Sequence, residues 1–208
     1  MAITQLTYVF DAYCGWCYGF GPALREFAQD ADINISVISG GLFHAVSIGE
    51  MPHIPKANER ITALTGAQFG PVYQAALTEG SFVMDSDDAG TGLIALKQAT
   101  GDRDVELAGA MQRAFYRDGL SLSDVTTYQH IAAEHGLDAE LVTQLFLDPG
   151  TRNKALAEQE HADALGVHSY PTLLAHTPTG MVKIGSPVAT AAQLHTSIER
   201  LQRAIVNR

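Results

Sequence analysis

Cysteine is nearly absent from this chain: 208 residues hold two, Cys14 and Cys17, both inside "YCGWCYGF". That scarcity argues against a disulfide-stapled scaffold, because one bridge across so short a loop removes little unfolded-state entropy. A structural zinc site needs four ligands, usually two cysteine pairs or a cysteine pair with a histidine pair. There is no second cysteine pair, and of the scattered histidines only His130 and His135 are spaced like ligands. They fall in a helical stretch far along the chain, so no metal is expected. Basic residues are also few, 13 against 23 acidic, for a net charge of −10. Such a surface repels phosphate backbones and anionic lipid, so neither nucleic acid nor a membrane is an expected partner. No apolar run approaches the roughly 18 residues of a spanning helix. The opening "MAITQLTYVF" has no basic n-region, apolar h-region or cleavage site, so it reads as a strand. The expected location is cytoplasmic, where reductants keep thiols reduced.

What is present has a clear order. In "ITQLTYVF" (3–10), Leu6, Tyr8 and Phe10 alternate onto one side of a strand. "GWCYGFGPALREFAQDA" then places Phe20, Leu24 and Phe27 at helical spacing, with Pro22 predicting a kink. "INISVI" (33–38) forms a second strand, so the three segments make a βαβ unit with a parallel pair. Residues 39–55 read as loop; in them Gly40-Gly41 makes a turn out of the strand or lines a substrate cleft. Helices are predicted over 57–65, 68–79, 87–99, 103–118, 124–135 and 138–147, with Asp124 and Asp138 as N-caps. "MDSDDAG" (84–90) lacks the spacing of a calcium loop, and Asp85 or Ser86 suits a helix cap better.

Residues 148–167 predict another helix, with Thr151 as a possible cap. "TLLAHT" and "MVKIG" follow as a hairpin through Pro178-Thr179-Gly180. A last helix opens on Thr190-x-x-Gln193, a capping-box pattern, and aligns Leu194, Ile198, Leu201 and Ile205 on one face. The expected organisation is a discontinuous α/β domain, residues 1–50 and 149–208, interrupted by a helical subdomain, residues 51–148.

The position of the cysteines gives them a chemistry. A Cys-x-x-Cys directly after a strand sets its first sulfur at a helix N-terminus, where unpaired N–H groups and the dipole favour an anion. Cys14 is therefore the expected nucleophile. Cys17, one turn deeper, can attack a mixed disulfide formed at Cys14. No charged residue lies between them, and Asp11 either opposes a thiolate or is an ordinary polar turn residue. A moderate redox potential follows. Trp16 either offers an apolar surface to substrate or is a half-buried aromatic. A second signal is "GVHSYPT" (166–172), where Tyr170-Pro171 opens a strand. A cis bond there would expose the preceding backbone group to an extended peptide.

"VFDAYCGWCYGFGP", a helical insert and "ALGVHSYPTLL" together resemble the thioredoxin superfamily, in its DsbA-like branch, and specifically cytosolic FrnE-type predicted protein-disulfide isomerases. "SGGLF", "VMDSDDAGTGLIALK" and "MQRAFYRDGLSLSDV" extend the likeness through the insert. The resemblance implies a thioredoxin fold, β-α-β then α-β-β-α, with a large all-helical insertion. It also implies a thiol–disulfide oxidoreductase without a cofactor beyond the redox-active Cys14–Cys17 pair, acting on protein or small-molecule disulfides. Cys14 would be the nucleophile, Cys17 the resolving cysteine and Pro171 the cis-proline facing them, with Trp16 and Tyr170 beside the substrate. Three departures stand out. Tyr170 replaces the usual Thr or Val, and Trp16 replaces the histidine of strongly oxidising relatives. Tyr8 replaces an acid beneath the thiols, so proton handling falls to water or the tyrosine hydroxyl.

Two rival readings remain. Kappa-class glutathione transferases and hydroxychromene-carboxylate isomerases share this fold but need one Ser or Cys to activate glutathione, so Cys17 argues against them. A binding or chaperone-like module with a vestigial or metal-holding cysteine pair is the other.

Overall fold

The structure, a computed structural model, describes residues 3–101 and 103–206. Its main sheet has four strands, β1 (Gln5–Phe10), β2 (Asn34–Ser39), β5 (Thr172–Thr177) and β6 (Gly180–Ile184), in the order β2-β1-β5-β6. β1 and β2 are parallel, with Leu6 opposite Ile35 and Tyr8 opposite Val37. β5 runs antiparallel to β1 and β6 antiparallel to β5, so the C-terminal hairpin completes a sheet begun at the N-terminus.

Because β1 is central, five of its six residues are buried. Leu6, Tyr8 and Phe10 point to one face, where α1 (Gly15–Asp30) and α9 (Ala191–Val206) bring Phe20, Leu24, Phe27, Leu194 and Ile198. Each such side chain removed from water stabilises the fold by roughly 1.5–3 kcal/mol. On the other face Val9, Ile38 and Leu174 pack with Ala162 of α8 (Pro149–Ala164) and with Val167. The alternation of β1 thus serves two helical layers.

Between β2 and β5 lie α2 (Ile54–Thr65), α3 (Pro71–Glu79), α4 (Ser86–Thr100), α5 (Asp104–Tyr116), α6 (Val125–Glu134) and α7 (Ala139–Leu147). They are anchored to the sheet by Lys97, whose Nζ donates to the Val37 carbonyl (2.7 Å) and pairs with Glu158 (3.0 Å) and Asp104 (3.4 Å). This links α4, α5 and α8 to the edge strand β2.

Several local expectations change. α1 holds Pro22, the position of the expected kink, inside one continuous helix. α2 and α3 use Pro55 and Pro71 in their first turns, where the missing N–H costs nothing, so the residues before 57 are not all loop. Residues 39–55 also hold β3 (Val46–Ser47), which pairs antiparallel with β4 (Val83–Met84). Two residues are too few for a periodic signal. Thr151 does not cap α8; Asp148 does, accepting the Thr151 N–H at 3.2 Å, while Thr151 is buried in the first turn. Elsewhere Asp85, Asp124 and Asp138 cap their helices, and Thr190 and Gln193 exchange the two bonds of a capping box.

One glycine is fixed by packing. Gly92 in α4 lies against the Tyr128 ring, and an added Cβ would overlap that ring's carbon and hydroxyl atoms. Tyr128 cannot swing away: it is fully buried, stacks on Phe146 at 4.8 Å and donates its hydroxyl to the Leu122 carbonyl at 2.7 Å. Overpacking of this kind costs roughly 1–3 kcal/mol or more. Alanine's helical advantage of about 1 kcal/mol offsets only part of it. Gly92→Ala is therefore expected to lower the urea midpoint at unchanged slope, and an unchanged or raised midpoint would refute the packing argument.

Candidate active site

β1 delivers the chain to a tight turn, Asp11-Ala12-Tyr13, and α1 starts at once behind it. Cys14 is the N-cap of α1; its backbone is extended (φ −83°, ψ 108°) and its N–H donates to the Asp11 carbonyl at 3.0 Å. Its sulfur accepts the Cys17 N–H at 3.4 Å, one of the free donors of the first turn. Both cysteines are free thiols. Their exposures differ, 6% for Cys14 and zero for Cys17. Burial, together with the neighbouring Cys14, pushes the Cys17 thiol well up.

The Tyr170–Pro171 peptide bond is cis, and the Cys14 sulfur donates to the Tyr170 carbonyl at 3.5 Å. The structure thus brings Cys14, Cys17, Tyr170 and Pro171 together at one end of β1 and β5. Trp16 is half-buried at the rim, where the Arg60 guanidinium of α2 sits 5.7 Å above its ring. α2 approaches α1 closely because two glycines allow it. A Cβ on Gly15 would lie 2.9 Å from Ile61, and one on Gly19 2.8 Å from Ile61 and Thr65.

Tyr8 lies beneath the thiols. Its ring packs with Phe10 and Phe20, and its buried hydroxyl has no hydrogen-bond partner among the described residues. Burial raises this hydroxyl well above its ordinary range, and the Cys17 and Cys14 charges raise it further.

Sequence reasoning missed the setting of Asp11. It is not a solvated turn residue: it is fully buried. Its Oδ1 accepts the Tyr13 N–H at 2.9 Å, and its Oδ2 accepts the Leu42 N–H at 3.0 Å. Burial raises the carboxyl to about 6, against a lowering pull from the Leu42 amide, the Ser86 hydroxyl and the Tyr13 amide. Gly40 has a packing role in the same segment, since a Cβ there would enter the Tyr170 ring. Neither Gly40 nor Gly41 adopts the left-handed conformation, so close approach and not turn geometry calls for glycine at 40.

Among the described residues no group of three or more His, Cys, Asp or Glu side chains is arranged to hold a metal ion. His135 pairs with Glu106 at 2.8 Å and exposed His130 with Glu134 at 3.4 Å. Asp87 and Asp88 pair with Arg152 at 3.5 and 2.6 Å, so the acidic run serves a cap and ion pairs.

A strand-to-helix Cys-x-x-Cys facing an X–Pro bond, on a β2-β1-β5-β6 sheet with a helical insertion, defines the thioredoxin fold in its DsbA-like form. The chain belongs to the DSBA-like thioredoxin domain family, whose model matches residues 5–186, a family of thiol–disulfide oxidoreductases. No curated protein matches it. Among solved structures it is similar to a protein of Nitrosomonas europaea provisionally assigned as a protein disulfide isomerase. That pair has a TM-score of 0.83 and 21% identity, covering 96% of this chain and 98% of that one. It is also similar to the cytosolic disulfide reductase DsbM of Pseudomonas aeruginosa, with TM-score 0.79, 23% identity and coverage of 98% and 100%. DsbM has also been solved with glutathione. A 2-hydroxychromene-2-carboxylate isomerase matches with TM-score 0.66, 12% identity and 98% coverage of each chain. These likenesses establish the shared fold.

Proposed function

We propose that this protein is a cytoplasmic disulfide reductase or isomerase that uses Cys14 and Cys17 as a two-electron dithiol. The observation that carries the reading is the asymmetry of the pair: Cys14 caps the helix at the surface side while Cys17 is wholly enclosed behind it. The Cys14 thiolate attacks a substrate disulfide, forming a mixed disulfide and releasing one substrate thiol. Cys17 then attacks the Cys14 sulfur, closing the Cys14–Cys17 bridge and releasing the second thiol. The two protons of the dithiol leave with the two products, and the protein is oxidised by two electrons as the substrate is reduced. A low-molecular-weight thiol or a reduced thiol protein would restore the dithiol.

In this reading the Tyr170 carbonyl and Pro171 align an extended substrate, and Trp16 offers it an apolar face. The cytoplasmic assignment draws support from DsbM, a cytosolic enzyme of the same fold, and from the net charge of −10. No helix among the described residues is long and apolar enough to cross a membrane. The division into residues 1–50 with 149–208 and an inserted 51–148 belongs to the same proposal.

The test is a stoichiometric one. Pre-reduced protein, freed of reductant, is expected to reduce one disulfide per chain in oxidised glutathione or insulin. Protein that reduces neither overturns the reading.

A further inference from the structure

We propose that Asp11 is a positioning residue whose buried carboxylate holds the Cys14–Cys17 couple on its reducing side. The inference rests on the dithiol reading above and concerns the same site.

Asp11 is buried in the turn that leads directly into the cysteines. The Asp11 carbonyl receives the Cys14 N–H and its carboxylate holds the Tyr13 and Leu42 amides; Asp11, Tyr13, Cys14 and Cys17 are buried, while Leu42 closes the site from the exposed side. Among the described residues no Lys or Arg ion-pairs with the carboxylate, so its charge is uncompensated. The groups facing it are few. The turn brings Tyr13, α1 brings Cys14 and Cys17, α4 brings the Ser86 hydroxyl, α5 brings Tyr116, and the β5 approach brings Tyr170. His44 also faces it, with its ring engaged by Asp87 at 3.4 Å.

In a low-dielectric enclosure an unscreened negative charge acts strongly on a neighbouring anion. It disfavours a thiolate, and the thiolate is the form that stabilises the reduced protein. Removing the charge therefore stabilises the dithiol and makes the protein more oxidising. A carboxyl raised to about 6 also loses its charge within an accessible range. The effect is present at pH 7.5 and absent at pH 5.

The experiment equilibrates wild type and Asp11→Asn with glutathione buffers at both values and reads the fraction of the Cys14–Cys17 bridge. At pH 7.5 the variant is expected to favour the dithiol about tenfold more than wild type, which is ~30 mV for a two-electron couple. At pH 5 the two should coincide. Equal potentials at pH 7.5, or a gap that persists unchanged at pH 5, overturn the proposal, because loss of the Leu42 clamp alone would not depend on pH in this way. Should Asp11→Asn fail to fold, wild type still decides the matter. By linkage, a carboxylate that shifts the couple must titrate at different midpoints in the reduced and disulfide forms. Identical midpoints by carbon-13 NMR sink it. A chain with no measurable couple at all overturns the dithiol reading as well; a normal couple indifferent to Asp11 overturns only this inference.

Discussion

Cys14→Ser is expected to reduce no disulfide, with a loss of at least about 10³-fold, while Cys17→Ser still takes the first step and then stalls. The difference follows from where each sulfur sits. Cys14 lies at the helix N-terminus against the Tyr170 carbonyl, and it alone of the two has any exposure. A serine hydroxyl there is not ionised at neutral pH and cannot open a disulfide. Cys17 is enclosed, so a substrate cannot reach it before Cys14 has reacted. In Cys17→Ser the intermediate has no resolving thiol, and the Cys14–substrate bridge accumulates.

Intact-mass measurement after mixing with oxidised glutathione should show one glutathione adduct on Cys17→Ser and none on Cys14→Ser. Adducts on neither variant would remove Cys14 from the nucleophile's place. A Cys17→Ser protein fully active with glutathione and an electrophile would instead favour the transferase or isomerase chemistry found on this fold. Both substitutions exchange sulfur for a smaller atom, so large structural losses are not expected to mask the result. At position 17 the new hydroxyl also has the unpartnered Tyr8 hydroxyl as a neighbour.

The parts of this site written in local sequence were legible, and those made by distant contacts were not. The alternation of Leu6, Tyr8 and Phe10 and the Cys-x-x-Cys behind it are short-range patterns, and the sheet and helix form where they point. The place of Asp11 is different. A polar residue in a turn ordinarily faces water, and it is enclosed here because Leu42, 31 residues on, closes over it with a backbone N–H. Gly40 offers no sign that a tyrosine ring from the far end of the chain will lie on it. Arg60 reaches Trp16 only because Gly15 and Gly19 let α2 come close. The glycines of "CGWCYG" were the available clue, since two of them one turn apart leave a groove on a helix. The same reasoning explains the small sheet: β3 and β4 are held by each other, not by any period of their own.

The enclosure of Asp11 also sets how stability responds to acid, and in an unusual direction. Its carboxyl is raised to about 6 in the folded protein, against 3.8 for an unperturbed aspartate. Between those values the native state keeps a proton that the unfolded chain has released, so stability falls as pH rises. The contribution is fully present below about 4 and is lost by a little above 6. A shift of this size corresponds to about 3 kcal/mol at 1.36 kcal/mol per unit. Glu106 works the opposite way: its bonds to Arg103 lower its carboxyl, so it adds stability as pH rises. It is 46% exposed and screened by solvent, and therefore the weaker of the two. The difference in unfolding free energy between wild type and Asp11→Asn isolates the buried group, because every other titration is common to both. That difference, from urea unfolding at pH 4 and pH 6.5, is expected to move against wild type by about 2 kcal/mol of that total as pH rises. A difference independent of pH would mean that the carboxylate is compensated in the folded protein, and the electrostatic account of the couple would lose its charge at the same time.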